Sequence, residues 1–184
     1  MRIIMGVCGA SGVNYSFPLL RELKKKKVET HLIVSEWAEE LVRIETGKKI
    51  SDLKKLASYS YREKEMDAHI SSSSFLCDGM VVVPASVKTV AQIANADTGT
   101  LISRCADIML RTGKKLIVCV RETPLSAPAL KNLYNISLYG GTVMPLSPAF
   151  YHMPKKIEDL EKFISGKIMD LLGIKNNAYK RWKK

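Results

Sequence analysis

The strongest constraint in this sequence is a pairing that recurs along its whole length. A short apolar run is followed by a small polar turn and then by an amphipathic stretch. Residues 2–8, built on Ile3-Ile4-Met5, read as a first strand. Residues 12–26 read as a helix, with Val13, Phe17, Leu20 and Leu23 at helical spacing. Pro18 falls early in that helix and is expected to bend its first turns. Residues 28–34 alternate and are rich in β-branched side chains, which predicts a second strand. Ser35 then stands at an N-cap position ahead of Glu36-Trp37-Ala38-Glu39-Glu40, acids that suit a helix start. That helix is expected to reach about Thr46, with Gly47 ending it.

Residues 48–76 are less regular, with a short helix over 51–56 and a polar loop at Ser71–Ser74. The run Asp78–Pro84 is apolar throughout its centre, as a parallel strand covered on both faces should be. A turn at 85–89 and a helix over 88–95 follow. The rest reads as a helix over 98–111, a strand over 115–120 and a helix over 127–138 stopped by Gly140-Gly141. A short strand over 142–145, a loop over 148–154 and an amphipathic helix over 157–172 complete it. The alternation predicts a three-layer α/β sandwich with a mostly parallel sheet.

At 184 residues, 46% hydrophobic and 26% charged, the chain suits a single domain over 1–184, with 173–184 a basic tail. No apolar run approaches the ~20 residues of a membrane span. The N-terminus reads as a buried strand rather than a signal peptide, so a cytoplasmic location is expected. The net charge is +11. Lys24–Lys27 close the first helix, where positive charge suits the dipole. Lys175, Lys180, Arg181, Lys183 and Lys184 form a tail without acids. These read as solvated surface, so neither a nucleic-acid nor a membrane partner is expected. Cys8, Cys77, Cys105 and Cys119 form no CxxC pair and are expected to be free thiols. His31, His69 and His152 show no metal-ligand spacing, so no metal is expected.

In parallel sheets ligands sit beyond the carboxyl ends of the strands. Ser11, Ser35, Ser86–Thr89, Arg121-Glu122 and the Tyr151 loop all follow predicted strands. The turn Gly6-Val7-Cys8-Gly9-Ala10-Ser11-Gly12 is not a GxGxxG fingerprint. It reads either as a plain βα turn or as a phosphate seat on helix N–H groups. Ser35 by itself is an N-cap. Ser86, Lys88 and Thr89 suit a phosphate, a flavin edge or a helix cap. Arg121 and Glu122 close a buried strand, where opposite charges must pair or serve a ligand. Glu45, by position alone, is a surface glutamate. Tyr151 offers either a phenolic donor or a half-buried ring.

Four segments together resemble the flavin prenyltransferases, formerly described as small subunits of aromatic acid decarboxylases. They are Gly9-Ala10-Ser11-Gly12, Pro84-Ala85-Ser86-Val87-Lys88-Thr89, Val120-Arg121-Glu122-Thr123-Pro124-Leu125 and Pro148-Ala149-Phe150-Tyr151-His152. The likeness runs along essentially the whole chain. It implies a flavodoxin-like, Rossmann-like fold, usually a homododecamer with flavin near protomer interfaces. It implies transfer of a dimethylallyl group from dimethylallyl phosphate to N5 and then C6 of reduced FMN, without a metal. The product serves UbiD-type decarboxylases.

By that resemblance Gly9, Ala10, Ser11, Ser35, Ser86, Val87, Lys88, Thr89 and Arg121 contact FMN. Arg121, Tyr151 and Lys167 handle the prenyl phosphate, and Arg104 and Trp182 help form the pocket. Glu122 and Glu45 handle protons, with Ser11 as a relay near N5. Many relatives carry lysine where this chain has Arg111, which keeps the charge but not its point-like shape. The rival flavoproteins of this fold are cysteine decarboxylases. They carry a histidine in the first helix and a PASANT segment, whereas residues 12–26 here hold no histidine and the segment is PASVKT. A non-catalytic FMN carrier would need no second phosphate site.

Overall fold

The computed structural model describes residues 1–182. In chain order the elements are β1 (Arg2–Val7), α1 (Ser16–Lys25), β2 (Glu29–Val34), α2 (Glu36–Thr46), α3 (Ile50–Lys54), β3 (Tyr59–Arg62) and β4 (Gly79–Ala85). Then come α4 (Val87–Ala94), α5 (Leu101–Arg111), β5 (Lys115–Val120), α6 (Ala127–Leu138), β6 (Thr142–Val143) and α7 (Ile157–Leu172). All six strands are parallel, in the order β3-β2-β1-β4-β5-β6. The five strands from β2 to β6 therefore run in the flavodoxin order 2-1-3-4-5. With β3 added at the edge the order becomes the Rossmann 3-2-1-4-5-6.

Alternation along each strand builds two cores, one on each face of the sheet. Ile3, Met5 and Val7 pack with Leu20, Val42 and Ile168, which places α1, α2, α3 and α7 on one side. Ile4 and Cys8 face the other way and pack with Val90, Ile102 and Ile136, which places α4, α5 and α6 there. Gly6 permits the close approach of α5, since a Cβ there would lie 3.1 Å from Ile102 Cγ2.

Two local expectations change. Helix α1 begins at Ser16, preceded by a separate 3-10 turn at Val13–Tyr15. Pro18 thus falls in the first helical turn, where its missing N–H has no helical carbonyl to lose. The irregularity precedes it, at Gly12, whose φ of 101° is left-handed.

Strand β3 has no counterpart in the sequence reading. Its four residues are short and largely exposed, so no apolar alternation marks them. It is held from outside, by His31 of β2. The His31 ring stacks on Tyr59 at 4.8 Å. Its Nδ1 lies 3.0 Å from the Tyr61 hydroxyl and its Nε2 2.9 Å from Glu29, which in turn pairs with Arg2. His31 is 1% exposed. Burial, opposed by Glu29, lowers its pKa from 6.5, and nearby His69 and Arg2 act in the same sense as burial. The unfolded chain then binds more protons than the folded one as pH falls through that value. Stability is expected to drop between about pH 7 and about pH 5, and to drop less in His31→Phe, as urea midpoints at the two pH values would report.

The segment after α7 is docked. Gly173 ends α7 with a φ of 81°. The buried Asn176 donates through Nδ2 to Asp170 Oδ1 at 2.9 Å and to the Gly166 carbonyl at 3.2 Å. Arg181 grips both oxygens of Asp170, at 2.9 and 2.7 Å, and the Tyr179 hydroxyl donates to it at 2.7 Å. The Tyr179 ring lies so close to α7 that a Cβ on Gly166 would come within 2.3 Å of it. Arg181, which reads as solvated in the sequence, is thus an anchor. Lys183 and Lys184 lie outside the described residues. Among the described residues all four cysteines are free, and no helix is long and apolar enough to cross a membrane.

Candidate active site

Because every strand points the same way, every carboxyl end meets one edge of the sheet. From β1 the chain moves outward to β2 and β3, then crosses back and continues from β4 to β6. The reversal places the ends of β1 and β4 side by side, the position where such sheets bind ligands. A cleft of about 390 Å³ opens there. Gly9, Ala10 and Ser11 after β1, Ser35 after β2, Ser86–Thr89 after β4, and Arg121 and Glu122 after β5 all line it. The structure thus brings together ten residues read separately from the sequence.

Local chemistry fixes these groups. Ser35 Oγ accepts the Ala38 amide at 3.2 Å and so caps α2. Ser86 Oγ accepts the Thr89 amide at 3.3 Å and lies 3.1 Å from Thr89 Oγ1, capping α4. The starts of α2 and α4 therefore both open on the cleft, and their dipoles favour an anion there. The β4–β5 register slips between Val82 and Ala85, just before these capping residues. Gly9 is required by packing, since a Cβ there would stand 2.4 Å from Trp37 Cβ. Beneath the floor, burial pushes Cys8 up to about 11 against a hydrogen bond with Thr89, so it remains a thiol.

Arg121 and Glu122 depart from expectation. They are not a buried pair, for Arg121 is half-buried and Glu122 exposed. Among the described residues neither has an ion-pair partner, nor has Lys88. Glu122 Oε1 accepts the Thr123 amide at 3.0 Å. The desolvation argument from the sequence loses its force. What remains is two cations, Lys88 and Arg121, and two carboxylates, Glu122 and Glu63, lining one cleft with no ion-pair partner among the described residues.

Glu45 has a different first task. Its Oε2 accepts the amides of Gly12 at 2.8 Å and Val13 at 3.2 Å. The helix-start N–H groups that the turn offers to a phosphate are thus already taken by the chain's own carboxylate. Glu45 is not among the residues lining the cleft.

The remaining candidates stand apart within one chain. Arg104 Nε donates to the Ser71 carbonyl at 3.1 Å, pinning α5 to the 3-10 turn at His69–Ser71. Arg111 pairs with Asp107 at 3.1 Å, at the end of α5 that leads into the start of β5. It therefore lies toward the opposite edge of the sheet. Lys167 is exposed on α7. Tyr151 and Trp182, both exposed, meet edge to face at 5.2 Å, with Tyr151 packed edge-on against the buried Phe163.

Three lining residues escaped the sequence reading: Trp37, Glu63 and Gln92. Trp37, 74% exposed, stands in the first turn of α2, two residues beyond Ser35, and that spacing was the available signal. Glu63 follows β3, so the rule of strand ends had no strand to act on. Gln92 lies one helical turn beyond Lys88 on α4, a position visible only once that helix start faces a cleft.

A cleft at the switch point of a doubly wound sheet defines a broad class of nucleotide- and cofactor-binding folds, and comparison with known sequences narrows it. The sequence model of the flavoprotein family matches residues 1–168. Flavin prenyltransferase UbiX of Saccharolobus solfataricus is 45% identical over 185 residues, covering 99% of this chain and 92% of that protein. The chain belongs to the flavin prenyltransferase family. Two solved structures superpose with TM-scores of 0.97. One is AnUbiX (PadA1) in complex with FMN and dimethylallyl pyrophosphate, 39% identical, covering all of this chain and 97% of that one. The other is a dodecameric FMN-dependent UbiX-like decarboxylase from Escherichia coli O157:H7, 36% identical, with full coverage of both chains.

Proposed function

We propose that this protein transfers a dimethylallyl group from dimethylallyl phosphate to N5 and C6 of reduced FMN in the cytoplasm, supplying prenylated FMN to a UbiD-type decarboxylase. The observation that carries the reading is the gathering of Gly9–Ser11, Ser35, Ser86–Thr89, Arg121 and Glu122 around one cleft. A relative of the same fold is described with both FMN and a dimethylallyl pyrophosphate.

The residues fit the two substrates. Two capped helix starts and the hydroxyls of Ser11 and Thr89 suit the FMN phosphate and ribityl chain. Among the described residues the amides of Gly9 and Ser11 have no hydrogen-bond partner within the chain, and they add two donors. FMN supplies the nucleophilic positions; the chain supplies charge and proton handling. Arg121 holds the oxygens of the departing phosphate by bidentate donation, and Lys88 adds a point charge. Glu122 takes the proton released as the second carbon bond forms. Glu45 serves this centre by shaping the turn at Gly12, and any proton it moves is secondary to that. The reading invokes no metal.

Tyr151, Lys167, Arg111 and Trp182 are too dispersed to serve the cleft of their own chain. We assign them to the cleft of a neighbouring copy, with Arg104 bracing the pocket wall, in a homo-oligomer that is a dodecamer by analogy with the Escherichia coli relative. A cysteine decarboxylase is disfavoured by the missing histidine over residues 12–26, and a carrier role by the uncommitted Arg121-Glu122 pair.

Purified protein given reduced FMN and dimethylallyl phosphate is expected to yield a flavin heavier by one prenyl group, with altered absorbance. Recovery of unmodified FMN, with the diphosphate donor also tried, would sink the proposal.

A further inference from the structure

Three of the residues assigned to the prenyl donor come from three separate stretches. Tyr151 stands in the loop after β6, Lys167 on α7, and Trp182 in the segment beyond α7. No strand ties these stretches together, so their mutual placement needs another fastening. The structure holds one at Asp170.

Asp170 lies in the last turn of α7, three residues beyond Lys167. Arg181 donates to both its oxygens, from Nη1 to Oδ2 at 2.9 Å and from Nη2 to Oδ1 at 2.7 Å. The Tyr179 hydroxyl donates to Oδ2 at 2.7 Å, and Asn176 Nδ2 to Oδ1 at 2.9 Å. Donation from Arg181, joined by Tyr179 and Asn176 and opposed by burial, holds the Asp170 carboxyl below the usual carboxylate range. Burial and Asp170 push the Tyr179 phenol up to about 12. At neutral pH the carboxylate therefore stays an acceptor and the phenol a donor.

Aromatic rings extend the fastening. Tyr179 lies edge-on to Phe163 of α7 at 5.0 Å, Phe163 to Tyr151 at 6.0 Å, and Tyr151 to Trp182 at 5.2 Å. Trp182 directly follows Arg181, so the grip on Arg181 governs where the indole meets Tyr151. Tyr179 presses on α7 at Gly166, the residue before Lys167. Asp170 is also the only acid within one helical turn of Lys167 along α7. Its oxygens are engaged elsewhere, and Lys167 has no ion-pair partner among the described residues.

We propose that Asp170, through Arg181, is a positioning residue for the prenyl donor, setting Trp182 against Tyr151 and leaving the Lys167 charge free for the donor's phosphate. It acts through these residues and touches no substrate itself. The inference rests on the assignment of Tyr151, Lys167 and Trp182 to the donor under the proposed function.

Asp170→Asn removes the charge and keeps the shape. Prenylation at saturating reduced FMN, with dimethylallyl phosphate varied, is expected to show a donor KM raised about tenfold. Both kcat and FMN affinity are expected to stay within about threefold, the pattern of lost donor binding. A merely structural carboxylate would change the melting temperature and leave the donor KM alone. Arg181→Gln opens the same latch from its more exposed partner and is expected to give the same pattern, which keeps the test decisive if Asp170→Asn does not fold. Trypsin cleavage after Lys180 or Arg181, read by mass, is expected to be roughly tenfold faster in Asp170→Asn, since cleavage follows the open population. Trp182→Ala is expected to raise the donor KM by itself. Combined with Asp170→Asn it should raise KM by less than the product of the two single effects, because the two share a route. An unchanged donor KM in the latch variants, with Trp182→Ala raising it, overturns the inference and leaves the functional reading standing. Strict multiplication of the two effects overturns the route through Trp182. A donor KM unmoved by Trp182→Ala, or no prenyl transfer by the unaltered chain, overturns the reading and the inference with it.

Discussion

Glu122→Gln is expected to bind FMN as the unaltered chain does and to form prenylated flavin more slowly by roughly 10²–10⁴-fold, the usual worth of a positioned acid–base group. Glutamine keeps the length and the hydrogen bond that the Thr123 amide makes to Oε1. It removes the capacity to take a proton. Glu122 is exposed and lacks an ion-pair partner among the described residues, so its loss leaves no buried charge stranded. Folding and flavin affinity therefore serve as internal controls. Single-turnover assays with reduced FMN read the rate, and flavin fluorescence titration reads the affinity. Turnover within a few-fold of the unaltered chain would remove Glu122 from the proton path.

Gly9→Ala is expected to be the most damaging change of one methyl group anywhere in the cleft. The added Cβ would meet Trp37 Cβ at 2.4 Å and the Trp37 backbone carbon at 3.4 Å. Those atoms belong to the first turn of α2 and cannot swing away as a side-chain tip does. Either α2 shifts or the turn after β1 does, at about 1–3 kcal/mol for overpacking. Both movements separate Ser35 from Ser11, and FMN affinity is expected to fall at least tenfold. Alanine at Gly47, where a Cβ meets nothing within 4 Å, is the control for a helix-end glycine. It keeps its own strain, with a φ of 66°, but not the loss of flavin. Denaturation midpoints and flavin titration of the two variants separate the effects, and unchanged flavin binding in Gly9→Ala would refute the packing argument.

The sheet was legible because its strands are buried on both faces. Runs such as Met80–Val83 and Leu116–Val120 need no partner to be recognised, and the capping residues Ser35 and Ser86 mark the helices that follow. Strand β3 was not, because Tyr59–Arg62 owes its place to His31, nearly thirty residues earlier. That omission hid Glu63. The cleft was legible for a related reason: strand ends converge by topology, so polar residues placed there must meet. Charge state was not legible. Adjacency in sequence suggested that Arg121 and Glu122 were buried together, whereas the end of a strand leaves a carboxylate free to turn outward. Arg111, Lys167 and Tyr151 show the other limit: under the proposed assignment they serve a neighbouring copy's cleft, and a site divided in that way would have no signature in the geometry of one chain.

The carboxylate of Glu45 has a consequence for how a ligand arrives. By accepting the amides of Gly12 and Val13 it acts as a resident counter-anion, so the turn beside the cleft keeps its shape with or without phosphate. An incoming flavin meets a preformed seat and spends little of its binding free energy on ordering that turn. The capped starts of α2 and α4, which open on the cleft, remain the helix ends whose dipoles favour the ligand's anion.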